Sequence, residues 1–72
     1  MITFHDPIFR PASELRAGDY CAESSGFTMQ CTAVTRERGM IVATFHGDYG
    51  MRPVLRVRPS ARIRFVPTTV TL

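Results

Sequence analysis

The chain has no lysine and no tryptophan, and no Asp or Glu follows Asp48. All nine basic side chains are arginines. A GC-rich genome alone biases basic positions toward Arg codons, so the net charge of +3 does not by itself indicate a nucleic-acid partner. No stretch approaches the roughly 18 consecutive apolar residues of a membrane span. The opening Met1–Pro7 lacks a basic segment followed by an apolar one, so no secretory leader is expected there. A reducing, cytoplasmic setting with Cys21 and Cys31 as thiols is the expectation. Those two cysteines have nine residues between them and the histidines, His5 and His46, lie far from each other. Zinc sites show close ligand pairs such as Cys-x₂-Cys, and none occurs, so no metal or other cofactor is expected. At 72 residues the chain is also short for a deep enclosed pocket, and no small-molecule substrate is evident. There is no Gly-rich phosphate loop, and His46-Gly47-Asp48 offers an imidazole and a carboxylate without a nucleophile oriented beside them. The expectation is a protein that is not an enzyme.

What the chain does have is an asymmetry of charge. Residues 1–48 carry four Arg and six acids, a balance of −2, whereas residues 49–72 carry five Arg and no acid, or +5. Those five are Arg52, Arg56, Arg58, Arg62 and Arg64. Along Val54–Arg58 and again along Arg62–Phe65 they alternate with apolar residues, the period of a half-buried strand with one charged face.

Turn residues punctuate the rest. Pro7 and Pro11 interrupt an otherwise apolar arm over residues 1–12, Ser13–Arg16 reads as one helical turn capped by Ser13, and Gly18 ends it. Strands are then expected over Tyr20–Glu23, Phe27–Arg36, Met40–His46, Met51–Arg58 and Arg62–Val66, with Gly- or Pro-bearing turns between them. Pro67 leaves Thr68–Leu72 as a tail or an extra edge strand. Parity assigns Phe27, Met29, Cys31, Ala33, Ile41, Ala43, Phe45, Leu55, Val57, Ile63 and Phe65 to the core, with Leu15 and Tyr20. Val34, Val42 and Val54 fall on the outward parity. The fold class is all-β: a small barrel of about five antiparallel strands with an ordered N-terminal arm, in one domain spanning residues 1–72.

The segment Ala12–Tyr20, with Leu15-Arg16-Ala17-Gly18-Asp19, resembles the opening of SH3-like small barrels, where a short turn ending Leu-x-x-Gly-Asp feeds the first strand. The run Leu55–Phe65, broken by Pro59-Ser60-Ala61, is similar to their last two strands and the 3₁₀ turn joining them. The chain also resembles short uncharacterised barrel proteins of actinobacteria and their phages, which share that opening and the lack of lysine. This resemblance implies an SH3-like barrel, and host cytoplasm if the gene is a phage's. It transfers no functional residue, because the fold hosts RNA-, DNA-, peptide- and protein-binding roles alike.

Two arrangements of the arginines remain open. A direct hairpin would set Arg58 against Arg62 and Arg56 against Arg64, and such facing like charges need an anion to neutralise them. A corner at Pro59–Ala61 would spread them, leaving Asp6, Glu14, Asp19, Glu23 and Glu37 free to pair with them. The leading expectation is a non-enzymatic module binding nucleic acid through Arg52, Arg56, Arg58, Arg62 and Arg64, with Tyr49 as the exposed ring on which a base stacks. The alternatives are a protein-interaction adaptor or inhibitor, a homo-oligomer, or a structural piece of a larger assembly.

Overall fold

The computed structural model describes residues 1–72. Eight strands form: β1 (Ile2–Phe4), β2 (Ile8–Pro11), β3 (Tyr20–Ala22), β4 (Thr28–Glu37), β5 (Met40–His46), β6 (Val54–Val57), β7 (Arg62–Val66) and β8 (Thr68–Val70). Single 3₁₀ turns lie at Ala12–Glu14 and Asp48–Gly50. The all-β class is observed. Strand number is corrected upward from about five, because the arm supplies β1 and β2 and the tail supplies β8.

Six strands make one antiparallel sheet in the order β2-β7-β3-β4-β5-β6, and β1 pairs with β8 in a separate ribbon. The large sheet curls around the core but does not close, since β2 and β6 are both free edges. The ribbon continues the β2–β7 ladder outward. Between the pairs Phe4↔Thr68 and Ile8↔Phe65, His5–Pro7 stand opposite Val66 and Pro67, so the first strand carries one extra residue there. His5 N–H still donates to the Pro67 carbonyl at 2.9 Å across this irregularity.

The β4–β5 hairpin is the longest pairing. Its two-residue loop, Arg38-Gly39, has φ of 51° and 76°, the doubly left-handed geometry that matches strand twist and that glycine adopts without strain. Within β4 the register shifts: Cys31 pairs with Phe45 but Ala33 with Thr44, leaving Thr32 as an extra residue. The Thr32 hydroxyl donates to the Thr44 carbonyl at 3.1 Å, supplying a side-chain bond where the ladder is disrupted. One inserted residue reverses every later side chain on the strand. Val34 therefore packs against the core, whereas Ala33, expected inside, is exposed.

The central cluster is Leu15, Cys21, Cys31, Ala43, Phe45 and Phe65, with Met29, Val34, Leu55 and Ile63 partly buried against it. Ala12, Ile41 and Val66 are buried as well. Phe27 is a second correction, because it lies on the loop before β4 with its ring exposed. Tyr20 and Val57 are half-buried. The expected Ser13 cap is also absent: Pro11 precedes the 3₁₀ turn and no side chain caps it. Both cysteines are free thiols inside the core.

Candidate nucleic-acid interface

The position of the arginines is decided by the connection between β6 and β7. Ala61 N–H donates to the Arg58 carbonyl at 3.0 Å, closing a turn over Pro59-Ser60. Ser13 N–H then donates to the Pro59 carbonyl at 2.9 Å and Ala12 N–H to the Ala61 carbonyl at 2.7 Å. These bonds pin the connection onto the turn that precedes β3. The chain turns a corner, and β7 pairs with β2 and β3 instead of with β6. Arg56 therefore does not face Arg64, nor Arg58 face Arg62.

The stripe divides in two. Arg56 lies on β6 across from Val42 and beyond it Thr35, and its guanidinium donates to the Glu37 carboxylate at 3.2 Å. Arg52 precedes β6 and borders a shallow recess with Thr32, Thr44 and His46. Arg58 is exposed at the corner. Arg62 and Arg64 stand on β7 opposite Pro11 and Phe9 of β2. The Arg64 guanidinium lies 5.4 Å from the Phe9 ring centroid, within cation–π range.

Few acids approach these cations. Of the nine arginines only Arg10, paired with Glu14 at 3.5 Å, and Arg56 have a carboxylate partner, leaving seven without one. Other acids serve local turns: Asp19 accepts from Arg16 N–H at 2.9 Å, and Glu23 accepts from the Ser25 hydroxyl at 3.2 Å.

Arg62 and Arg64 border a furrow of about 380 Å³ between β6 and β7. Cys21, Met29, Phe45, Leu55 and Ile63 line its interior, and Phe9 and Glu23 border it too. A second concavity of about 200 Å³ shares Glu23, Met29 and Pro53 with the first and extends it toward Phe27, Tyr49 and Met51. Phe27 is 59% exposed and Tyr49 fully exposed. Tyr49 is also in the left-handed region, at φ 59° and ψ 29°. The continuous surface thus has arginines with one ring at one end, two rings with the Asp48 carboxylate at the other, and Glu23 where the two concavities meet.

Sequence parity placed Arg62 and Arg64 on the surface, and a turn position placed Tyr49 there, but Phe9 and Phe27 were missed. Phe9 lay in an arm whose pairing partner is more than fifty residues away, and Phe27 lay at the wrong side of a strand boundary.

Nucleophile chemistry has no assembled geometry here. Gln30 pairs with His46 and Cys31 with Phe45, so Cys31 points inward and His46 outward on opposite faces. Burial pushes the Cys21 thiol up to about 12, with the nearby Cys31 and Asp19 adding to the effect. Burial raises the Cys31 thiol as well, against a hydrogen bond with the Ala33 backbone, which lowers it. Both are protonated at neutral pH and poor nucleophiles. No three His, Cys, Asp or Glu side chains gather into a metal-binding cluster, and no helix is long and apolar enough to cross a membrane.

No protein-family model, curated protein or solved structure matches the chain.

Proposed function

We propose that this protein is a non-enzymatic binding module that holds a single-stranded nucleic acid along the furrow between β6 and β7. One observation carries the reading: Arg62 and Arg64 stand without carboxylate partners beside the Phe9 ring, on a concave surface that continues to the exposed rings of Phe27 and Tyr49. Arginines bind the phosphate backbone and rings stack on bases, a combination suited to single strands because every base has a π-face. The site keeps Arg62 and Arg64 of the arginine stripe together with Tyr49, adds Phe9 and Phe27, and leaves Arg56 outside because Glu37 already neutralises it.

The scaffold in this proposal is an open variant of the SH3-like barrel. Supporting it are the strand order β7-β3-β4-β5-β6, in which the last strand returns beside the first, and the tight corner between β6 and β7.

The test is fluorescence anisotropy with a labelled uridine or thymidine oligomer of about 12 nucleotides, a length within single-strand site sizes. Contacts to about two phosphates give a slope of log K against log salt near −1.4. Absence of binding at about 50 mM salt, or unchanged binding by an Arg62→Ala/Arg64→Ala variant, refutes the proposal.

A protein partner is the second reading. It is favoured by Asp48, which lines the Phe27–Tyr49 end, and by Glu23, which lines both concavities, since both repel phosphate. In that case binding to oligomers fails, and a Phe27→Ala/Met51→Ala variant loses the partner recovered with the wild-type protein.

A further inference from the structure

The β1–β8 ribbon is exposed along its whole length, with none of its six strand residues buried. Its register places Ile2 opposite Val70 and Phe4 opposite Thr68, giving it one largely apolar face. Thr3 and Thr69 occupy the other, where His5 Nε2 and Thr69 Oγ1 are 2.7 Å apart. The Phe4 ring meets that of Tyr20 edge-on at 4.9 Å. Ile2, Phe4 and Val70 are 45%, 50% and 64% exposed. A two-stranded ribbon alone in water is marginal, and stability requires that its apolar face be covered.

Three further observations identify what covers it. First, neither β1 nor β8 contains a charged residue, although exposed edge strands in monomers are commonly protected by charge or by burial. Second, the strand residues that face each other when two copies meet through this ribbon carry no charge. The same two-fold contact made through the arginine-bearing faces would bring like charges together. Third, the exposed area is large for a chain of this mass. A folded chain of 8.1 kDa is expected to expose about 4,500 Å². This one exposes 5241 Å². The excess of roughly 750 Å² belongs to the whole chain, and the uncovered ribbon contributes to it. The molecule is correspondingly drawn out, to 39 × 25 × 25 Å.

We propose that the β1–β8 ribbon is a self-association surface, on which a second copy of this chain packs face to face through Ile2, Phe4 and Val70. The contact is isologous, each ribbon covering the other, and it stands independently of the nucleic-acid reading because it uses none of the same residues.

Sedimentation velocity on the full chain tests this. At about 100 μM, a concentration sufficient for standard-size interfaces of micromolar affinity or better, the protein sediments at twice 8.1 kDa. Val70→Lys, and Ile2→Lys/Val70→Lys, weaken the dimer at least about thirtyfold, the loss expected at the centre of an interface. Thr69→Lys, on the opposite face, leaves it dimeric. The Val70 side chain is exposed, so the single variant keeps the wild-type circular dichroism spectrum. A monomeric wild-type protein at that concentration overturns the proposal. So does a dimer that survives both Val70 variants, or one that Thr69→Lys disrupts equally.

Discussion

The guanidinium of Arg56 and the carboxylate of Glu37 meet at 3.2 Å, joining β6 to the end of β4 across the intervening strand. Both side chains are more than half exposed. An exposed pair of this kind contributes between zero and about 1 kcal/mol. Arg56→Ala is therefore expected to shift urea unfolding by no more than that amount. Because Glu37 already neutralises Arg56, the same variant changes oligonucleotide affinity by less than about twofold. Arg64→Ala loses both a phosphate ligand and the cation–π contact with Phe9, and weakens binding by about tenfold. Equal losses in the two variants would show that binding follows total charge instead of the furrow.

The register shift at Thr32 makes an opposite pair of predictions for neighbouring residues. Ala33 lies on the outer face opposite Thr44, whereas Val34 packs on the core. Ala33→Lys is expected to leave the unfolding midpoint nearly unchanged. Val34→Lys forces a charge toward the apolar interior and unfolds a domain with so thin a core. Thermal denaturation followed by circular dichroism distinguishes them. The reverse order would mean that β4 is regular and that Thr32 is not inserted.

That shift also marks where the sequence stops being legible. Alternation identified Cys31, Ile41, Ala43, Phe45 and Phe65 as core because each lies on a regular stretch of strand. Past Thr32 the same rule inverted Ala33 and Val34, since no residue type in Gln30–Ala33 announces an inserted residue. Arg62–Val66 was bounded correctly because Ala61 and Pro67 flank it, but its partners β2 and β3 are set by long-range pairing that alternation does not encode. For the site, alternation exposed the arginines but left the corner and hairpin equally open. The backbone bonds from Ala12 and Ser13 to Ala61 and Pro59 decide between them.

The buried thiols predict an alkaline weakness. Cys21 is held at about 12 by burial, against an ordinary value of 9.0. Its folded-state pKa is raised, so its contribution to stability is fully present below about 9 and is lost as pH rises toward 12. The unfolded chain ionises first and draws the equilibrium with it. Urea midpoints measured from pH 8 upward should fall less steeply in Cys21→Ala than in the wild-type protein. At pH 8 a thiol reagent should label neither cysteine in the native protein and both in urea. Rapid native labelling would mean that the β3–β4 pairing opens readily.

Tyr49 is strained and exposed at once, which separates a functional ring from an incidental one. Its backbone holds φ 59° with no covering contact to compensate, since the side chain is fully exposed. L-residues other than Asn and Asp avoid that region, whereas glycine enters it freely. Tyr49→Gly is therefore expected to raise the urea midpoint slightly, despite the greater freedom glycine gives the unfolded chain. If the ring stacks on a base, the same substitution weakens oligonucleotide binding by about fivefold or more, the loss typical of removing one stacked aromatic. Tyr49→Phe keeps the ring and should bind as the wild-type protein does. Stability and binding then move in opposite directions in one variant. A variant that gains stability and retains full affinity would remove Tyr49 from the site and confine binding to Phe9, Arg62 and Arg64.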